Sequence, residues 1–204
     1  TGTALLYVLS RYTDVKNIIL IEKYNCFAQV NSHYNNNSQT LHFGDIETNY
    51  TLEKAERVNE AATFVKNYLL KYDKENKMHN VWHKMVLGIG KEQVEKLRDR
   101  QKEFVKLFPK LRIIDEKEIE KREPKIIEGR EEGEEIIALF VEEGYAVDYK
   151  KLAESFVLKA KKIGKADIRL GEKVKYIEKV KDGYKIKTDK NEFKGKVVIV
   201  CAGP

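Results

Sequence analysis

Apolar residues step through this chain with two periods, and the switches between them mark its elements. Ala4, Leu5, Val8 and Leu9 give residues 1–11 one apolar helical face, already under way at the first residue. After a turn at Thr13 and Asp14, Ile18 to Ile21 form an unbroken apolar run that ends in Glu22. That pattern belongs to a parallel strand buried on both faces, so helix and strand together make half of a βαβ unit. From Ser32 to Thr51 the chain is polar, rich in Asn, Ser, Thr and Gln, with no hydrophobic period. Alone, it reads as a solvated loop.

Helical spacing returns at Thr51, an N-cap with Glu53 in the first turn, and Ala55, Val58, Ala62, Val65 and Leu69 form the apolar face to about Tyr72. Residues 79–87 read as a strand. A second helix carries Val94, Leu97, Gln101, Phe104 and Phe108 and stops at Pro109. Asp115 with Glu118 resembles a capping box for a short helix ending before Pro124. The pattern changes at Ile136, where IIALFV is a short apolar strand, followed by an Asp148-capped helix bearing Leu152, Phe156, Ala160 and Ile163. Ala166 to Leu170 is a strand, and Lys173 to Thr188 is a hairpin around Asp182-Gly183. Val197 to Cys201 is expected to be the last strand, running into Ala202 and Gly203.

The expected architecture is α/β: a Rossmann-like domain, residues 1–50 and 136–204, interrupted by a mainly helical insertion at 51–135. Both ends fall inside expected elements, so the chain is expected to be an excerpt of a longer protein. Composition adds little. Hydrophobic residues make up 42%, enough for a core, and 39 basic against 33 acidic residues leave a net charge of +6. The acidic residues are spread among the basic ones, which argues against a nucleic-acid-binding module. Cys26 and Cys201 belong to no CxxC pair, so neither a disulfide framework nor a metal site is expected, and a reducing compartment fits. There is no signal-peptide pattern and no run of eighteen apolar residues that would span a membrane.

Gly2 stands where the last glycine of a GxGxxG turn would fall, close to the start of a helix. Glu22 follows twenty positions later at the end of the apolar strand. This is the separation at which an acidic side chain accepts hydrogen bonds from the ribose of a dinucleotide. Ala202 and Gly203, closing the last apolar run, are small enough to let backbone approach a ligand. A chance helix–strand pair and an ordinary strand end remain the alternatives.

With those residues in place, the polar stretch becomes specific. Glu22, Ala28, Gln29, Ser32, Asn36, Asn37, Thr40, His42, Glu47, Asn49, Tyr50 and Thr51 match the order and spacing of the malate:quinone oxidoreductases, which the chain resembles. The likeness continues at His79, Val81 and His83, in EPKIIEGR from Glu123 to Arg130, and in Gly144 to Tyr149. It implies a fold of the glutathione-reductase and D-amino-acid-oxidase type. It also implies FAD as cofactor, a small dicarboxylate oxidised from (S)-malate to oxaloacetate, and re-oxidation by a quinone. The location it implies is cytoplasmic, peripheral at the inner face of the cell membrane.

By the same resemblance Gly2, Glu22, Lys23, Ser32, Asn36, Asn37, Thr40, Val174, Ala202 and Gly203 would bind FAD. Ser32, Asn36, Asn37 and Thr40 would lie along its pyrophosphate and ring edge. His42, His79, His83 and Arg130 are candidate pocket residues, with no catalytic base identified. His42 is either a flavin-adjacent group or a hydrogen-bonded structural histidine, and Arg130 is either a carboxylate partner or a surface charge. Gln39, Leu41 and Trp82 depart from the family pattern. His42-x-Gly44 is similar instead to the HxG of the L-2-hydroxyglutarate oxidases, which keeps another 2-hydroxy acid, or an amino acid, as the alternative substrate.

Overall fold

In the computed structural model, which describes residues 1–131 and 133–203, the chain divides into two units. A discontinuous unit is built from Thr1–Ser38 and the stretch from Asp148 onward, and a continuous unit from Gln39–Val147. The boundaries therefore fall at 38/39 and 147/148, not at 50/51 and 135/136. The reason is strand pairing: the apolar run at Ile136 belongs to a strand that pairs back within the continuous unit.

In the discontinuous unit, α1 (Gly2–Tyr12) leads into β1 (Ile18–Glu22), and α5 (Tyr149–Ile163) leads into β6 (Ala166–Leu170). The two strands pair in parallel from Ile18↔Ala166 to Glu22↔Leu170. The Asp148 side chain caps α5 by accepting from the Lys151 N–H, and Gly164 ends it in the left-handed conformation. Leu6, Val157 and Ala160 form the buried core, with Ile18, Leu20, Phe27, Ala166 and Ile168 packed against it. Helix α1 thus buries Leu6, Tyr7 and Ser10, whereas Val8, from the expected face, is exposed. Its apolar residues occupy more than one face, and packing against α5 selects among them.

The expected hairpin is β7 (Val174–Val180) with β8 (Gly183–Thr188), and β9 (Glu192–Gly195) adds a third antiparallel strand. Buried Glu172 anchors its base, accepting from Thr188 Oγ1 at 2.6 Å and Asn191 Nδ2 at 3.0 Å. Val197–Cys201, expected as the last strand, joins no sheet among the described residues, and Val197 and Val200 are exposed there.

The continuous unit is organised on an antiparallel sheet, so its helices do not make it a helical insertion alone. Strand β5 (Ile136–Val147) pairs with β3 (His79–Ile89) along one edge and with β2 (Thr40–Leu41) and β4 (Arg112–Ile114) along the other. Residues Ile136–Val141 are buried on both sides. Ile137, Leu139 and Val141 pack with Ala55 of α2 (Leu52–Tyr72) and with Val94, Leu97 and Phe104 of α3 (Gly90–Phe104). Ile136, Ala138 and Phe140 pack with Ile119 of α4 (Glu116–Arg122) and with Ile114. Thr51 caps α2 and Asp115 caps α4 as their positions suggest. Glu118 does not close a capping box, because its carboxylate is held by Arg112 and Arg122, and the Arg112 fork above all keeps it down to about 2.

Gly44 sets the distance between the loop after β2 and α2. Its φ is +87°, and a Cβ there would lie 2.7 Å from Ala55 Cα and 2.8 Å from Ala55 O, backbone that cannot swing aside. Gly44→Ala should therefore destabilise the protein by roughly 2–4 kcal/mol through left-handed strain plus overpacking. A urea midpoint equal to wild type would show that α2 tolerates displacement.

Candidate functional site

In the discontinuous unit, the N-terminus of α1 lies against the end of the chain. Thr1 gives the helix no side-chain cap, leaving its first N–H groups available. A Cβ at Gly2 would sit 3.4 Å from Cys201 Cβ, an ordinary contact distance that places this helix end beside Cys201. Unpaired N–H groups, the positive end of the helix dipole and small residues at 202 and 203 make a cradle whose chemistry fits a pyrophosphate. Glu22 sits half-buried at the end of β1, with Oε1 accepting the Tyr24 N–H at 3.1 Å. Lys23 is exposed with its Nζ over the Tyr24 ring. A surface hollow lined by Asn17, Ile18, Lys165 and Ala166 lies at the other, N-terminal end of the β1–β6 pair and holds none of the candidate residues. Ligands of parallel sheets bind at the carboxyl ends of the strands, which is where Glu22 stands.

The loop after β1 is stitched by its own asparagines. Asn36 Nδ2 donates to the Val30 carbonyl at 2.8 Å, and Asn37 Nδ2 donates to the carbonyls of Asn31 and His33 at 2.9 Å each. His33 Nδ1 accepts the Asn35 N–H, and its ring stacks on Tyr34. The amide donors of Asn36 and Asn37 thus shape the loop that presents Ser32. Val174 opens β7, paired with Thr188.

In the continuous unit each candidate pocket residue has a carboxylate partner. His42 lies between the buried Leu41 and Phe43, its own side chain 49% exposed, and its Nδ1 is 2.6 Å from Oε1 of Glu47. Glu47 is the buried member, and its Oε2 has no hydrogen-bond partner. Arg100 of α3 holds the loop that carries it, donating to the carbonyls of Glu47, Thr48 and Tyr50 while its guanidinium lies 3.8 Å above the Phe104 ring. Burial holds the Arg100 guanidinium below its ordinary value, although Glu103 and Glu47 pull the other way. Next along the loop, Asp45 accepts from Lys84 Nζ at 2.5 Å in a second, nearly buried ion pair.

His79 and His83 stand four residues apart on β3, but the strand's register shifts between Trp82 and Lys84, so the alternation expected to put both on one face is broken there. His79 is buried, its Nδ1 2.7 Å from Asp73 Oδ2 and its ring 5.7 Å from Tyr145. That assigns it to packing, not to the lining of an open pocket. His83 is a quarter exposed, 3.1 Å from Glu123 Oε1 and 5.6 Å from the Phe140 ring. Arg130 is bound to Glu134 at 2.7 Å and is largely buried, so it is not a free surface charge. Among the described residues no three His, Cys, Asp or Glu side chains gather as a metal ion would need. Sequence reasoning missed Asp73 and Arg100, and it gave Glu47 a place in a motif without a task. The available signal was slight: Asp73 follows a helix by one residue and precedes His79 by six.

Solved structures that resemble this chain include oxidases and a dehydrogenase. Glycine oxidase from Geobacillus kaustophilus superposes with a TM-score of 0.74 at 14% identity, covering 99% of this chain and 52% of its own. The L-α-glycerophosphate oxidase from Mycoplasma pneumoniae, described with FAD bound, gives 0.68 at 22% identity, covering 93% and 47%. The fold class is theirs. A family model described as malate:quinone oxidoreductase matches residues 2–203, and the chain belongs to that family. A probable malate:quinone oxidoreductase from Campylobacter jejuni is 38% identical across the whole chain, and a malate:quinone oxidoreductase from Helicobacter pylori is 37% identical. The chain spans about half the length of these curated relatives, 47% and 46%.

Asp73 yields a prediction with a definite sign. Burial pushes its carboxyl up, but hydrogen bonds from His79, Met78 and Lys77 outweigh that and hold it below the ordinary value. A depressed folded-state value contributes stability at pH above the unfolded value of ~4, lost as pH falls through the folded value. Asp73→Ala, which strips a partner from three backbone N–H groups and a buried imidazole, should cost roughly 3 kcal/mol at pH 7. Its deficit against wild type should shrink as pH falls below ~4. A deficit that stays constant from pH 7 to pH 3 would contradict this linkage.

Proposed function

We propose that the protein is an FAD-dependent dehydrogenase that oxidises (S)-malate to oxaloacetate and passes the electrons to a membrane quinone. The observation that carries this reading is family membership across residues 2–203. Supporting it are the uncapped helix terminus at Gly2 and the acidic strand end at Glu22. Gly2, Ala202 and Gly203 would take the FAD pyrophosphate, Glu22 and Lys23 the ribose region, and Val174 the adenine side. Ser32, Asn36, Asn37 and Thr40 would follow the cofactor toward its ring. His42, His83 and Arg130 are the proposed substrate-side groups, with Arg130 suited to bidentate pairing of a carboxylate.

FAD, when bound, supplies the two-electron acceptor. The chain's own residues would bind the two carboxylates, orient the α-carbon and receive the hydroxyl proton. Among the described residues no helix is long and apolar enough to cross a membrane. The membrane contact implied by the quinone is proposed to be peripheral, at the cytoplasmic face, with exposed lysines against anionic lipid. One observation keeps a second substrate in view: His42-x-Gly44 has the HxG form, with Gly44 required by its left-handed backbone.

The test is spectroscopic. The protein in its native length, reconstituted with FAD and kept anaerobic, should show a flavin spectrum that malate bleaches and that a quinone restores. A protein that remains colourless after reconstitution refutes the flavoprotein reading. Bleaching by 2-hydroxyglutarate and not by malate moves the assignment to that acid.

A further inference from the structure

We propose that Glu47, braced by Arg100, is a positioning residue that fixes His42 so that its Nε2 accepts the hydroxyl proton of the substrate. The proposal rests on the 2-hydroxy-acid reading above and gives that reaction the base it lacks. Three features of the geometry carry it.

The first is asymmetry of burial. The two partners are 2.6 Å apart, yet the Glu47 side chain is 11% exposed and the His42 side chain 49%. A carboxylate held inside accepts from Nδ1, which makes the Nδ1–H tautomer the favoured neutral form and leaves the Nε2 lone pair as the basic site. Nε2 has no hydrogen-bond partner among the described residues. A structural histidine looks different, and this chain holds one for comparison: His79 is buried together with its aspartate and stacked on Tyr145.

The second feature is the brace. Arg100 donates to three successive-turn carbonyls at Glu47, Thr48 and Tyr50, so the backbone that carries Glu47 cannot drift. The contacts span 50 to 53 positions of sequence, tying the loop to α3. The third is the unpartnered Glu47 Oε2, a buried oxygen that leaves part of the carboxylate charge unspent. Among the described residues the carboxylate is thus held by a single side-chain contact, the one that orients the His42 ring.

The step balances. The substrate O–H bond would break with its proton passing to His42 Nε2, and the α C–H bond would give up its hydrogen with the electron pair, for which FAD, when bound, would supply the two-electron acceptor. A C=O bond forms in their place. Two electrons leave the substrate with the hydride, and the proton on His42 is returned to solvent before the next turnover.

The test uses the native-length holoenzyme and three variants: His42→Ala, Glu47→Gln and Glu47→Ala. Malate affinity is read from the perturbation of the flavin spectrum, and the limiting rate of flavin reduction from anaerobic stopped flow. His42→Ala should lose about a hundredfold or more in limiting rate. Its malate affinity should stay within about threefold of wild type, and added imidazole should restore part of the rate. Glu47→Gln, nearly isosteric, should lose about tenfold. Its malate affinity should stay within about threefold of wild type, so that the loss falls on the rate alone; a merely structural Glu47 would change affinity and rate together. Glu47→Ala should behave as Glu47→Gln or worse, and equal thermal midpoints for the wild type and Glu47→Gln exclude misfolding as the cause. A His42→Ala enzyme within about threefold of the wild-type rate, or a Glu47→Gln enzyme that keeps the wild-type rate or loses affinity as much as rate, overturns the proposal. Failure of wild type to be reduced by any 2-hydroxy acid is a separate result, which sinks the underlying reaction and is seen before a variant is made.

Discussion

A strand buried on both faces has no solvent to satisfy its backbone, so each N–H and C=O must find a ladder partner or be lost to desolvation. Strand β5 meets that demand by pairing with β3 on one edge and with β2 and β4 on the other. Those pairings fix where Thr40, His79 and Ile114 lie, and the two buried faces fix where α3 and α4 pack. The loop that carries His42 emerges directly from β2, and Arg100 reaches it from α3. Both ends of that bond are therefore referred to the same strand. The site's geometry is inherited from a packing constraint.

Within this frame the three histidines of the continuous unit show how burial divides one motif into different tasks. Each imidazole lies against a carboxylate: His42 with Glu47, His79 with Asp73, His83 with Glu123. Where both partners are buried, the pair organises a turn, and Asp73 also takes three backbone N–H groups. Where only the carboxylate is buried, the imidazole is oriented but remains free to exchange a proton. Where both are partly exposed, as at His83, solvent screens the pair and little energy is tied to it.

Much of this was legible in the sequence, and the pattern of omissions has physical causes. Caps at Thr51, Asp115 and Asp148 could be read because a cap is a local signal, one side chain serving the next turn. The strands β2, β4 and β9, two to four residues long, carry too few positions to display alternation. The unit boundary at Val147 was hidden because composition changes at Ile136 while pairing continues for the whole of β5, and pairing is non-local. The face of α1 was misplaced because its apolar residues surround much of the helix. Gly2 and Glu22 were singled out through spacing, and the motif residues through resemblance. Arg100 was not, since one arginine on a charged helix looks like any solvated charge until the carbonyls it serves are seen.

The stitched loop from Val30 to Asn37 has a thermodynamic consequence. A flexible loop that closes on a ligand must give up conformational freedom at the moment of binding, and that loss is subtracted from affinity. Here Asn36 and Asn37 already tie the loop to its own carbonyls. The ordering is done during folding, so a ligand meeting this loop keeps more of its contact energy as binding free energy. Association should then depend little on loop rearrangement, and dissociation should be governed by the contacts themselves.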